Sequence, residues 1–92
     1  PRAEVYQSCF AECCFEECSF VGISLMECDL SGTTLVDTDW DGAYLDRIIL
    51  RGAHGSRAKN IQALVHAKIS TETEMDGWLE GTEALLWLNK HV

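Results

Sequence analysis

Basic residues are scarce in this chain, and long apolar runs are missing altogether. Seven Lys and Arg stand against fifteen Asp and Glu, a formal charge of −8. Nucleic-acid binding needs a basic footprint, so direct binding to DNA or RNA is not expected. No apolar stretch approaches the ~20 residues a membrane helix needs, and no signal-peptide pattern opens the chain. No membrane partner is expected. His54, His66 and His91 are scattered, and no Ser/His/Asp set, phosphate-cradling Gly loop or His-x-x-x-His pair is present. Catalytic residues, cofactors and metal ligands are all read as none. Five cysteines are present, but they do not fall into the paired C-x2-C spacing of a zinc site.

What the chain has is a beat. Every fifth residue from Val5 to Leu50 is large and apolar: Val5, Phe10, Phe15, Phe20, Leu25, Leu30, Leu35, Trp40, Leu45 and Leu50. Two residues before each lies a second column of small or uncharged residues, from Ala3 through Cys13, Cys18 and Cys28 to Ile48, and on to Ala53. A helix buries i, i+3, i+4 and i+7, and a half-buried strand buries alternate residues. Here alternation holds within each unit and breaks between units. Short extended pieces separated by corners are therefore expected, four corners bringing the chain round after twenty residues. Residue n then lies over n+20 at about 4.8 Å: Phe10 over Leu30 and Leu50, Phe20 over Trp40. Trp40 is oversized for its column and is expected to swell one face or tilt toward a corner.

Charge supports this independently. None of the ten acids or three arginines of residues 1–53 occupies either column, as the several-kcal/mol cost of burying an unpaired charge demands. Gly22, Gly32, Gly42 and Gly52 all fall two residues after a central apolar residue. Type II turns want φ > 0 there, so these corners are expected to be type II. The corners with Gln7, Glu12 and Glu17 are expected to be type I-like.

Units such as CSFVG, CDLSG, TTLVD and AYLDR resemble the small–polar–Leu/Phe–x–x motif of pentapeptide-repeat proteins. The resemblance covers residues 3–53. It implies a β-solenoid, a right-handed four-sided β-helix, here of about two and a half coils and roughly 12 Å long at the sheet spacing. RGAHG, NIQALVHAKI and TETEM resemble the tail that closes many such helices. The resulting division is residues 1–53 as pentapeptide-repeat β-helix and 54–92 as a C-terminal helical cap, together one structural unit. Solenoids need capped ends, and no cap precedes Ala3. That end is expected to meet upstream sequence or another chain. The first residue, Pro rather than Met, suggests a domain from a longer protein.

In the repeat, Cys13, Cys18 and Cys28 belong to the small inward column and Cys9 and Cys14 face solvent. They read as structural thiols, which favours a reducing, cytoplasmic location. In the second half, Ala58–His66 reads as a short amphipathic helix, Ser70–Thr73 as a turn, and Trp78–Val92 as a longer helix. The stripe of Trp78, Leu85, Leu88 and Val92 would dock, while Leu79, Leu86 and Trp87 widen the apolar arc beyond one face. Trp78, Leu79, Leu86 and Trp87 are the candidate interface.

The resemblance implies a non-catalytic interaction or scaffolding module, expected to be part of a larger protein. The protein partner stays open. A homodimer, or contact with an upstream domain, would use the coil end or the C-terminal helix. Some relatives are acidic rods that imitate duplex DNA and shield DNA gyrase from its poisons, and the charge of residues 1–53 suits that alternative. Length opposes it, since duplex DNA carries a charge about every 1.7 Å over many turns. An enzyme using the cysteines or a metal is the third class, with no spacing in its favour.

Overall fold

The computed structural model describes residues 4–71 and 78–92. Strands β1 (Glu4–Tyr6), β2 (Ser24–Met26), β3 (Tyr44–Ile49) and β4 (His66–Ser70) are followed by β5 (Leu79–Glu80) and helix α1 (Thr82–His91). They form one sheet in the order β1-β2-β3-β4-β5. The first three strands pair in parallel with a shift of twenty residues: Val5 opposes Leu25, and Leu25 opposes Leu45. Further parallel bridges join Cys9 to Asp29, Cys14 to Thr34 and Ser19 to Asp39. Every twenty residues the chain therefore lies on itself at four places, which is a β-solenoid. Coil 1 is residues 4–23, coil 2 is 24–43 and coil 3 is 44–65.

The core is the two columns. Leu25, Leu30, Leu35, Trp40, Leu45 and Leu50 are all buried, with Cys28, Thr33, Thr38, Ala43, Ile48 and Ala53 beside them. The two threonines satisfy their hydroxyls locally, Thr33 donating to the Leu30 carbonyl at 2.8 Å and Thr38 to that of Leu35 at 3.2 Å. Trp40 fits by lying parallel to Phe20, ring centroids 4.4 Å apart. Its indole N–H donates to Thr38 Oγ1 at 2.8 Å, so the one polar atom of this large buried side chain is paired.

The corners differ from expectation. Gln7, Glu12, Glu17, Glu27, Asp37, Arg47 and Arg57 adopt positive φ just as Gly22, Gly32, Gly42 and Gly52 do. Type I-like corners at Gln7, Glu12 and Glu17 are thus ruled out, because that geometry needs negative φ. Stacking requires each corner to follow the one a coil away, so Glu12 copies Gly32 and Gly52. A left-handed conformation costs an L-residue about 1–2 kcal/mol, whereas glycine loses about 0.5–1 kcal/mol in chain entropy. Glu12→Gly is therefore expected to raise stability by about 0.5–1 kcal/mol, read as a higher urea midpoint at unchanged slope.

Past Ala53 the outcome also differs. The coil continues: His54 bridges Thr34, Lys59 bridges Asp39, and β4 pairs in parallel with β3. The helix expected over Ala58–His66 is instead a single 3-10 turn, Ile61–Ala63, leading into β4. That turn lengthens the coil, so Leu45 opposes Ala67, a shift of twenty-two, and Ile48 opposes Ile69, a shift of twenty-one. Of the expected turn at Ser70–Thr73, Glu72 and Thr73 lie outside the described residues, as do Ala3 and most of TETEM.

The last helix starts later than expected. Leu79–Glu80 pairs antiparallel with β4, Leu79 opposite Ile69. Gly81 then takes φ 58, ψ −127, a conformation outside the helical region and open to glycine. The helix cannot run back through it to Trp78. Helix α1 buries Ala84 and Leu88, with Val92 beyond them, and closes coil 3. The carbonyls of His91 and Val92 accept from the N–H groups of Gly55 and Ala58 at 2.9 and 3.2 Å, so helix-end carbonyls that lack intrahelical partners find them on the coil.

Candidate functional site

The two ends of the solenoid are unlike. The columns are sealed in coil 2 and as far as Ala53 in coil 3, but in coil 1 Phe20 is buried while Val5, Phe10, Phe15 and Cys18 are only partly buried, and Cys13 is exposed. Cys13 and Cys18 occupy the small inward column, as the beat requires. Cys13 was expected to be buried there, and it is not, because no described coil lies over it. Cys28, one coil further in, is buried, its thiol 3.4 Å from the Met26 carbonyl. Phe10, Phe15 and Phe20 form an edge-to-face row, centroids 6.0 and 5.6 Å apart, which gives the open end a rigid aromatic floor. Cys9 and Cys14 face solvent.

Charge is divided along the same axis. From Glu4 to Asp46 there are ten carboxylates and no base, and from Arg47 to Lys68 five bases and no acid. The boundary falls at the start of coil 3, so basic residues stack on acidic ones. Arg57 grips Asp37 through two bonds of 2.7 and 2.9 Å. Arg47 lies 3.2 Å from Glu27, which also accepts from Gln7 at 2.9 Å. Asn60 donates to Asp39 at 2.8 Å.

The Arg57 bidentate bond holds the Asp37 carboxyl below the usual aspartate range, and the Ser31 hydroxyl and N–H do the same for Asp29. A depressed folded value stabilises above the unfolded one, about 3.9, and that stabilisation fades as pH falls through the folded value. Asp37→Asn should therefore lower the urea midpoint at pH 7, and the difference from the parent should shrink as the pH falls below about 4.

The four candidate interface residues do not share one helix. Trp78 and Leu79 belong to the β5 segment, Leu86 and Trp87 to α1. Leu86 is 65% exposed and Trp78 36%. Trp78 lines a groove of about 410 Å3 with Cys9, Ile49 and Arg47, and the Lys68 ammonium lies 5.9 Å from its ring. Leu79 is partly buried in the sheet, and Trp87 stacks on His91 at 4.3 Å. Among the described residues, no group of three or more His, Cys, Asp or Glu is placed to hold a metal, and no helix is long and apolar enough to cross a membrane.

The family pattern for pentapeptide repeats, in eight copies, matches residues 10–40 and 28–59. The chain belongs to the pentapeptide-repeat family. No curated protein and no solved structure matches it. Pentapeptide-repeat proteins are generally non-catalytic, and the matched stretch extends past the 53/54 boundary read from the sequence, into the part of coil 3 that precedes the 3-10 turn. The charge division by coil was available from residue order, but an N-terminal and C-terminal half split at 53/54 blurs it.

Proposed function

We propose that this pentapeptide-repeat chain is a non-catalytic module that binds another protein through the end of its β-helix. The β-helix is right-handed and four-sided, since strand–crossover–parallel strand connections take that hand in about 98% of cases and each coil bridges its neighbour at four places. One observation supports the reading: the apolar columns, buried throughout coil 2 and as far as Ala53 in coil 3, are only partly buried at Val5, Phe10 and Phe15 of coil 1, while α1 closes the other end. Exposed thiols at Cys9 and Cys14 suit a reducing, cytoplasmic setting. The test compares the chain with Phe10→Ser/Phe15→Ser in pull-downs. A partner held by the parent and lost by a variant of unchanged circular dichroism supports the module, and a parent that retains no partner at all overturns it. Trp78 and Leu86 supply a second contact area within the same reading, probed by Trp78→Ala/Leu86→Ala.

The acidity of coils 1 and 2 favours a second reading, mimicry of duplex DNA toward a topoisomerase such as gyrase. Three of those nine carboxylates, Glu27, Asp37 and Asp39, are already answered by Arg47, Arg57 and Asn60, which leaves six to imitate phosphates. Absence of supercoiling inhibition and of drug protection at micromolar protein would remove it.

A further inference from the structure

Building on the interaction-module reading, we propose that the groove between Trp78 and the outer column of Cys9, Asp29 and Ile49 receives a lysine side chain of a partner protein. This groove, about 410 Å3 in volume, runs along the flank of the solenoid. Two of its walls are apolar. Ile49 stands at the outward position that coil 2 gives to Asp29, its bridge partner, and it is only partly buried. Trp78 keeps 36% of its surface exposed. The polar groups of the groove are unevenly spent. Its donors are engaged within the chain: all three Arg47 nitrogens on Glu27 and Asp46, the Gln7 amide nitrogen on Glu27 at 2.9 Å, and the Ser8 hydroxyl on the Tyr6 carbonyl at 3.0 Å. Two acceptors are left over. Asp29 takes both Ser31 bonds on Oδ1, and among the described residues its Oδ2 has no hydrogen-bond partner. The Gln7 amide turns its nitrogen to a carboxylate that can only accept, so its oxygen points elsewhere and has no partner among the described residues.

An occupant must therefore bring donors rather than acceptors, on an apolar stem that can lie against Ile49 and Trp78. Charge selects a cation. Arg47 is shared between two carboxylates, Glu27 and Asp46, so that cluster keeps a negative balance. The Ser31 hydroxyl first, then its N–H and the charge of Arg51, hold the Asp29 carboxyl below the usual aspartate range, so it is ionised at neutral pH. A lysine meets these terms, with a stem of four methylenes that lies on apolar surface and a head of three N–H donors. Arginine meets them less well. Its planar fork is matched by a carboxylate that offers both oxygens, and Asp29 offers one. Lys68 does not fill the place itself: its ammonium lies 5.9 Å from the Trp78 ring, but the residue is not one of the groove's walls.

The experiment titrates the isotope-labelled full chain with N-acetyl-lysine methylamide and, in parallel, with its norleucine and arginine counterparts. NMR follows the Trp78 indole and the amides of Cys9, Asp29 and Ile49, with the buried Trp40 indole as the unmoved reference. A ligand of this size is expected to bind with a Kd of roughly 1 mM, and the norleucine counterpart about tenfold more weakly, for want of a charged donor. Asp29→Asn keeps an oxygen for the Ser31 bonds. It should weaken the lysine probe by about tenfold and leave the norleucine probe unchanged. Trp78→Ala, which alters no core position, should remove the response of Cys9, Asp29 and Ile49 to either probe. Equal binding of the lysine and norleucine probes overturns the proposal, and so does an arginine probe that binds tighter than lysine. Shifts of the same resonances with rising protein concentration in the unliganded chain, accompanied by a dimer mass, overturn it too, since the occupant would then be a second copy. Failure of the wider module reading shows separately, as a parent chain that retains no partner in pull-downs whatever the probes do. A partner that the Trp78→Ala variant retains in full overturns the lysine site and leaves the module reading standing.

Discussion

Gly55→Ala is expected to destabilise the protein by about 3 kcal/mol, the upper end for inserting a methyl group into a packed site, and to lower Tm by roughly 10–20 °C. Gly55 stands where the beat would place another large apolar residue, and it is neither strained nor at positive φ. Its reason is proximity. A Cβ at this position would sit 2.5 Å from the Leu35 carbonyl oxygen and 2.6 Å from its carbon, distances no rotamer change can relieve because both partners are backbone. The Leu35 N–H is itself bonded to the His54 carbonyl at 2.7 Å, so the strand cannot retreat without breaking the ladder. The Gly55 N–H also holds the His91 carbonyl, and the displaced segment should release the end of α1. The measurement is thermal melting with helical circular dichroism. A variant with the parent's Tm would show that coil 3 lies farther from coil 2 than described.

Trp40→Ala should cost about 3–5 kcal/mol, the range for removing a buried Trp or Phe. For a chain of this size, with a total stability of roughly 5–14 kcal/mol at 0.05–0.15 kcal/mol per residue, that is a large share. The residue is 1% exposed. Its loss removes the stacking surface of Phe20 and leaves the Thr38 hydroxyl without the indole donor. Phe10→Ala provides the contrast. Phe10 belongs to the same kind of column but to the open coil, where part of its ring already meets water, so its removal should cost about 1–2 kcal/mol, the lower part of what a fully buried aromatic contributes. Urea unfolding of the two variants at constant slope checks the ranking. Equal losses would mean that coil 1 is as well sealed as coil 2.

The columns were readable because a five-residue beat leaves a physical signature at both ends of the polarity scale: apolar residues where the chain turns inward and no charge in the same places. Trp40 belongs to that pattern in spite of its size, and its neighbour two positions back explains why, since Thr38 accepts the indole N–H. Past Ala53 the signature is ambiguous. Ile61, Leu64 and Val65 have helical spacing, yet Ile61 is buried and Val65 is 62% exposed, a split that an amphipathic helix would not make between residues four apart. The usable signal was Ala67-x-Ile69, the two-residue spacing of the columns resumed out of phase after the 3-10 turn. Corner geometry was misread for a different reason. Local preference argues against positive φ at Glu12 or Gln7, but coil-to-coil pairing overrides it. The candidate interface suffered from Gly81, whose conformation divides what looks in sequence like one apolar helix into a strand carrying Leu79 and a helix carrying Leu86 and Trp87.

The separation of charge along the coil axis has a kinetic consequence. Ten carboxylates before Arg47, against six bases and five acids from Arg47 onward, make the molecule a small electric dipole as well as a net anion. Such a body is turned as well as drawn by the field of a charged partner, and steered association of this kind can raise on-rates by 10–10³. Toward a basic surface it rotates so that coil 1 leads and coil 3 trails, presenting the open aromatic end before contact is made. Collisions in the wrong orientation are thereby depleted at low ionic strength, and the advantage shrinks as salt shortens the reach of the field to about 8 Å at physiological strength.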